Sequence, residues 1–254
     1  MRLWRRYQIW LFIYNTGSPV AYSGGLLRTA LENAVAELDP KGADPALRQM
    51  VVVGHSQGGL LAKLTAVDSG TRFWDEFARV PLDQIGVSAE TREILRRSSF
   101  FTPLPFVKRL VYICTPHGGS YLASMSFARL VSDLVRLPTN LMRLSVELAT
   151  IDTSALHVRQ LGRLPTSIDN MTPGNPFIRT LGSLPVAEGV VSHSIIAVKG
   201  DGPLEEESDG VVGYTSAHVE DARSEKIVRS GHSAQGDPAG IEEVRRILLE
   251  HAGL

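Results

Sequence analysis

The sequence predicts an α/β protein with a mainly parallel sheet and helices on both faces. Runs of β-branched and aliphatic residues at 50–53, 107–113, 193–198 and 226–229 have the continuous apolar character of buried strands. Stretches with apolar residues at helical spacing alternate with them. Because strands that alternate with helices form right-handed crossover units, we expect the strands to be parallel.

Composition supports one domain over residues 1–254. The hydrophobic fraction is 43% and the charged fraction 21%, which suits one globular core with room for a cap. The net charge of -1 with dispersed basic residues favours neither a nucleic-acid partner nor an anionic membrane surface. Cys114 is the single cysteine, so an internal disulfide is excluded. No apolar run reaches the length of a transmembrane helix.

The chain begins with an apolar segment, residues 7–14, that we interpret as the first strand. Arginines precede it as in a signal peptide, but the apolar part is short and no small-residue cleavage site follows. We therefore expect no signal peptide, and a cytoplasmic location is the default. Residues 15–19 form a turn cluster, and helical spacing then extends over residues 22–38.

The functional prediction depends on the pentapeptide 54–58, Gly-His-Ser-Gln-Gly. It matches G-x-S-x-G between a buried strand and an apolar-periodic helix, the context that the pattern requires. Gly54 and Gly58 permit a tight turn that presents the hydroxyl of Ser56, and the amide of Gln57 is placed to donate to an oxyanion. The alternative is a glycine-rich turn that happens to contain a serine.

A nucleophilic serine needs a base and a group that orients the base, and the chain supplies candidates for both. Asp209 follows the predicted strand at 193–198, with Asp201 as its substitute, and His232 follows the last predicted strand, at 226–229. His117 competes for the role of base, but it precedes the acid in the chain. Since a hydrolase of this kind has the order serine, acid, histidine, we interpret His117 as a turn residue near the rim of the site.

Two segments, 71–106 and 138–185, interrupt the alternation with scattered aromatic residues and prolines, and we expect them to form a cap or lid. Phe101 and Phe106 are candidates for lining an acyl-binding pocket, with packing of the insertion onto the body as the alternative. The seven histidines show no i,i+4 or short-loop pairing, so we predict no metal site.

Four short segments together resemble motifs of bacterial α/β-hydrolase esterases and lipases, similar to the lipases related to GPI-inositol deacylases. They are Gly-His-Ser-Gln-Gly-Gly at 54–59, Thr-Pro-His-Gly-Gly-Ser at 115–120, Ser-Asp-Gly-Val-Val at 208–212 and Ser-Gly-His-Ser at 230–233. The likeness extends from about residue 7 to the C-terminus. It implies an α/β-hydrolase fold with Ser56 as nucleophile, Asp209 as acid and His232 as base, without a cofactor. We expect His55 and His117, which lie within these motifs, to contact substrate.

The sequence departs from this family at the second oxyanion donor. Such enzymes usually have one more strand, which lies between the strand at 7–14 and the strand before the serine and ends in a His-Gly loop. Either the chain is N-terminally shortened relative to its relatives, or residues 7–14 lie beside residues 50–53. In the second case Thr16 and Gly17 would face the serine turn and supply the donor.

The leading hypothesis is a serine hydrolase that cleaves a small-molecule carboxylic ester or lipid through an acyl-enzyme. The same three residues serve an acyltransferase or a thioesterase equally well. An alternative from another class is a degenerate hydrolase that binds a lipid or a protein through its apolar cap.

Overall fold

The computed structural model describes residues 3–120, 138–151, 153–157 and 164–254. The strands are β1 (Met50–His55), β2 (Val107–Ile113), β3 (Val191–Val198) and β4 (Ser224–Arg229). The α-helices within these ranges are α1 (Val20–Leu38), α2 (Gln57–Leu64), α3 (Arg72–Phe77), α4 (Ala89–Ser99), α5 (Thr139–Ala149), α6 (Ser167–Met171), α7 (Pro176–Ser183), α8 (Tyr214–Ala217) and α9 (Pro238–His251). Apolar residues at helical spacing predict a further helix at 121–137, and this segment lies outside the described residues.

The four strands form one sheet in the order β1-β2-β3-β4, and every neighbouring pair is parallel. The predicted α/β class with a parallel sheet is confirmed. Since all strands run in one direction, their carboxyl ends meet at one edge of the sheet. The loops that follow β1, β2, β3 and β4 therefore lie close together.

Helices cover both faces of the sheet, as predicted. On one face, Leu110 and Tyr112 of β2 pack against Ala62 of α2. On the other face, Val111 of β2 packs against Ile247 of α9. The Asp-Pro pair at 237–238 predicts a helix start, and α9 begins there, because the Asp237 side chain accepts a hydrogen bond from the Ala239 amide.

The predicted strand at residues 7–14 is wrong. The segment has no turn or bend, and the rings of Phe12 and Tyr14 stack with centroids 5.4 Å apart, as side chains two residues apart do in an extended chain. However, no backbone hydrogen bond joins residues 8–14 to any other described residue. A strand exists only when a neighbour completes its hydrogen bonds, and this segment has strand-forming side chains without such a neighbour.

The two candidate insertions pack against each other. Trp74, Leu82 and Leu95 of the first share one buried apolar cluster with Leu144 and Leu148 of the second. The amide and hydroxyl of Ser88, the N-cap residue of α4, each donate to Glu147 of α5 at 2.8 Å. The insertions thus have a common apolar core, and their role as a cap stays a prediction. No helix in the described part of the chain is long and apolar enough to cross a membrane.

The two phenylalanines predicted to line a pocket belong to the core. Phe101 is 1% exposed, and its ring meets the Phe73 ring edge-on. Phe106 directly precedes β2, and its carbonyl accepts from the Met50 amide at the amino end of β1. It is therefore about 20 Å from the carboxyl edge of the sheet, at roughly 3.3 Å per strand residue. A place in a pocket beside Ser56 is wrong for Phe106, and the burial of Phe101 gives that ring a packing role.

Candidate active site

Ser56 occupies a sharp turn between β1 and α2. Its backbone has φ 53° and ψ -127°, a conformation that costs a non-glycine residue on the order of 1–3 kcal/mol. The Ser56 amide donates to the Ile113 carbonyl of β2 at 2.8 Å, and its carbonyl accepts from the Gly59 amide at 3.0 Å. These bonds hold the residue in the strained conformation, and the side chain stays half-buried.

The glycines around this turn differ in what they permit. A methyl group on Gly54 would overlap the Gly58 carbonyl, so Gly54 is required, as predicted. Gly58 has open space around it, so the prediction that it is needed for the turn is wrong. Gly59 takes that role, because a methyl group there would overlap the Thr115 side chain. The Gly58-Gly59 pair in the sequence was the available indication.

Three predicted residues meet at the carboxyl edge of the sheet. The Nδ1 of His232 lies 2.7 Å from Oδ2 of Asp209, and its Nε2 lies 2.9 Å from Oγ of Ser56. Because a carboxylate only accepts hydrogen bonds, Nδ1 carries the proton of the neutral ring and Nε2 accepts from the serine hydroxyl. The loops after β1, β3 and β4 thus bring a hydroxyl, a carboxylate and an imidazole into one hydrogen-bonded chain.

Asp209 is buried, with 2% of its surface exposed, and is held on both oxygens. Oδ1 accepts from the amides of Val211 and Val212 at 2.8 and 2.7 Å. Burial raises the pKa of the Asp209 carboxyl, but the hydrogen bonds from His232 and the two amides outweigh burial and leave the pKa below its ordinary value. The side chain of Asp201, the alternative acid, is 97% exposed and lies beside Arg229, so Asp209 is the acid that orients His232.

The other two histidines of the motifs have different surroundings from those predicted. His55 Nε2 donates to the His232 carbonyl at 2.7 Å, so His55 supports the loop that carries the imidazole. His117 is 8% exposed and packs edge-on against Tyr112 at 4.5 Å, so its predicted position at the rim is wrong. Burial, with the nearby charge of Lys63, lowers the pKa of His117 to about 3. Its loop folds inward, which the residue pattern did not indicate.

The Gln57 amide is placed as an oxyanion donor. It starts α2 next to Ser56 and has no hydrogen-bond acceptor among the described residues. Of the predicted second donors, Thr16 and Gly17, the Gly17 amide is occupied, because it donates to Asn15 Oδ1 at 2.9 Å. Thr16 is exposed, and its carbonyl accepts from the Ser167 hydroxyl at 2.6 Å. Among the described residues, the Gln57 amide is thus a free donor directly after Ser56.

Cys114 also adopts a left-handed backbone, with φ 50°, which the sequence did not reveal. Burial raises the pKa of its thiol to about 12.

One potential metal-ligand atom from each of His55, Cys114 and His232 lies within 4.8 Å of the others. Both ring nitrogens of His232 are engaged by Asp209 and Ser56, so this arrangement suits proton transfer better than metal binding.

Comparisons with known proteins find similarity in solved structures alone. No protein-family model matches the chain, and no curated protein does. The mature lipase BlEst2 from Bacillus licheniformis is 14% identical with a TM-score of 0.47, and the match covers 91% of this chain and 75% of that one. Phospholipase PlaB from Legionella pneumophila is 14% identical with a TM-score of 0.42, over 83% of this chain and 36% of that one. A lipase-esterase related protein from Clostridium acetobutylicum is 13% identical with a TM-score of 0.36, over 90% and 75%.

The glycine assignments predict opposite effects of two adjacent substitutions. Gly59→Ala should lower the free energy of unfolding by about 1–3 kcal/mol, because the new methyl group overlaps Thr115. Gly58→Ala should be neutral or stabilise by up to about 1 kcal/mol, since alanine is the better helix former and has room. Urea unfolding of both variants measures the difference. Equal destabilisation would contradict the close approach of Gly59 and Thr115.

The environment of Asp209 predicts a pH-dependent contribution to stability. Because folding depresses the pKa of this carboxyl, its contribution is complete above the ordinary value of 3.8 and is lost as the pH falls through the lower folded value. The free energy of unfolding of wild type should therefore exceed that of Asp209→Asn by about 1–3 kcal/mol at neutral pH, and this difference should shrink in acid. Urea unfolding across this range measures the difference. Asp201→Asn is the control, which should follow wild type throughout.

Proposed function

We propose that this protein is a serine hydrolase of the α/β-hydrolase family that cleaves carboxylic esters. The observation that carries the proposal is the hydrogen-bonded chain from Ser56 through His232 to Asp209. Its members follow the strands in the order serine, acid, histidine, and the serine sits on a strained turn at a helix start. Such a combination serves nucleophilic catalysis, whereas a structural serine needs neither the strain nor the base.

In the proposed reaction, His232 Nε2 removes the proton from Ser56 as Oγ attacks the ester carbonyl carbon. Asp209 stays ionised and stabilises the imidazolium that forms. The negative oxygen of the tetrahedral intermediate accepts from the Gln57 amide, aided by the positive end of α2. The imidazolium then gives its proton to the departing alkoxide. Water, activated by the same imidazole, cleaves the acyl-enzyme and restores the serine.

The substrate class follows from the apolar unit formed by the two insertions. Both insertions are rich in leucines and aromatic residues, many of them packed in their common core, and an apolar cover over the site would suit an acyl chain better than a charged group. Helix α5 of the second insertion also exposes Met142 and Val146 on its outer side. An apolar ester or lipid is therefore the proposed substrate. Transfer to an alcohol or cleavage of a thioester would use the same residues.

One observation favours a second candidate, a hydrolase-like module that binds a lipid or a protein without cleaving it. The Gly17 amide, a predicted second oxyanion donor, is occupied by Asn15. The loss of one oxyanion donor typically lowers turnover by about 100- to 1000-fold. Covalent labelling of the serine separates the two candidates, because a fluorophosphonate reports the activated hydroxyl.

Ser56→Ala should abolish hydrolysis of short-chain nitrophenyl esters and labelling by a fluorophosphonate, because the nucleophile is removed. Ser183→Ala is the control, because the Ser183 hydroxyl at the end of α7 donates to the Thr180 carbonyl. Ester hydrolysis and fluorophosphonate labelling should both be unchanged in this variant. An active enzyme that keeps its rate after Ser56→Ala would refute the proposed nucleophile. A wild-type protein that folds but is neither active nor labelled would favour the binding module.

Asp209→Asn should lower kcat by about 10⁴-fold with little change in KM, because the amide no longer fixes the ring tautomer that accepts the serine proton. Asp201→Asn is the matched control on the same loop, and its exposed side chain predicts an unchanged kcat. Steady-state kinetics on one activated ester compare the two. A larger loss of kcat in Asp201→Asn than in Asp209→Asn would mean that Asp201 is the acid.

A further inference from the structure

Cys114 directly follows β2 and lies beside the hydrogen-bonded side chains of the candidate site. The residue is buried, with 1% of its surface exposed. Its Sγ atom lies within 4.8 Å of a ring nitrogen of His232 and of a ring nitrogen of His55. The sulfur is therefore close to the imidazole, although no step of the proposed reaction uses it.

The backbone of Cys114 is strained in the same way as that of Ser56. Both residues have a positive φ, 50° for Cys114 and 53° for Ser56, and no other non-glycine residue in the described ranges does. The Cys114 amide donates to the Ile195 carbonyl of β3 at 2.9 Å, which holds the residue against the neighbouring strand. Such conformations persist only where the surroundings impose them, and they are common at functional sites.

The thiol has three hydrogen-bond partners, one in a strand and two in loops. The backbone amides of Ala197, in β3, and of Ala234, in the loop after β4, donate to the sulfur. The third partner is the side chain of Asp209. Because an ionised carboxylate only accepts hydrogen bonds, the thiol donates its proton to Asp209.

The thiol stays protonated and so remains a donor. Burial, together with the negative charge of Asp209, raises the pKa of the Cys114 thiol to about 12. The thiolate is therefore scarce near neutral pH, and the sulfur is unsuited to act as a nucleophile itself. Its chemistry at this position is that of a weak hydrogen-bond donor to a buried carboxylate.

A donor at this position affects how strongly Asp209 attracts a proton on His232. Asp209 is 2% exposed, so protein groups rather than solvent satisfy its oxygens. Oδ1 accepts from the amides of Val211 and Val212, and Oδ2 lies 2.7 Å from His232 Nδ1. A further donor draws negative charge from the carboxylate, and a carboxylate with less free charge stabilises an imidazolium less.

We propose that Cys114 is a positioning residue that acts through Asp209 on His232. By donating to the carboxylate, the thiol limits the basicity of the imidazole, which must be neutral to remove the proton of Ser56. Because this role rests on the proposed function, its kinetic consequence appears in ester hydrolysis, whereas the contacts of the thiol exist in the resting protein.

Cys114→Ala removes the donor and should raise the acid-side midpoint of the kcat/KM profile by about half a pH unit, because the imidazole becomes more basic. Below the midpoint, kcat/KM should therefore fall about threefold relative to wild type, and on the alkaline plateau it should be unchanged. Cys114→Ser keeps a donor, so its midpoint should lie at or below that of wild type. The pH dependence of hydrolysis of a neutral nitrophenyl ester compares the three proteins.

Ser194→Ala is the matched control. Ser194 is a small buried residue of β3 whose hydroxyl donates to the Ala217 carbonyl at 3.3 Å, and its loss should leave the profile unchanged. Thermal unfolding verifies that every variant is folded. An equal loss of activity at all pH values in Cys114→Ala would mean that the thiol only fills space. That result, an unchanged profile, or identical profiles of the alanine and serine variants would overturn the proposal.

A measurement without substrate separates this proposal from the proposed function. The proton on His232 Nδ1 lies in a charge-assisted hydrogen bond to Asp209 and should give a downfield NMR signal. In Cys114→Ala the carboxylate is the stronger acceptor, so the signal should move further downfield, and in Ser194→Ala it should stay in place. An upfield movement or no movement in Cys114→Ala would contradict the role of the thiol. The expected movement in a protein that hydrolyses no ester would support that role and refute the ester chemistry alone.

Discussion

The pairing of β1 with β2 is the constraint on which the candidate site depends. It holds Ser56 in a backbone conformation that serine adopts only under restraint, through the bond from its amide to the Ile113 carbonyl. The close approach of Gly59 to Thr115 fixes the start of α2 against the loop after β2. A strained residue is therefore supported from both sides by regular structure, which keeps its hydroxyl in one place.

Electrostatics then define how the three side chains interact. A buried carboxylate is stable here because His232 and two backbone amides satisfy it. That carboxylate fixes the proton on Nδ1 of the imidazole and so directs the unprotonated Nε2 to Ser56. His55 donates a hydrogen bond to the His232 carbonyl and so restrains the loop that follows β4. Each interaction restricts the imidazole further, and the site is prearranged before any substrate binds.

The two edge strands of the sheet, β1 and β4, differ in charge. The edge strand β4 carries Glu225, Lys226 and Arg229, whereas the opposite edge strand β1 carries no charged side chain. The free turn amide of Gln57 lies at the carboxyl end of this uncharged strand. The uncharged edge strand and the candidate site are therefore neighbours.

Features of this protein that depend on local chemistry can be predicted from the amino-acid sequence. Runs of β-branched residues specified all four strands of the sheet, and the spacing of glycines around Ser56 located the turn. The order of Ser56, Asp209 and His232 along the chain sufficed to select the three side chains that meet. The position of Phe106 could also have been inferred, because a residue just before a strand lies at its amino end.

Features that need a neighbouring segment became apparent once the chain was seen folded. Residues 7–14 have strand-forming side chains, but a strand requires a hydrogen-bonded partner, and none is present in the described residues. His117 is buried because its loop folds back onto Tyr112, and Gly59 is needed because Thr115 approaches it. Local sequence encodes the preferences of one segment, whereas burial, clashes and ladder bonds belong to pairs of segments distant along the chain.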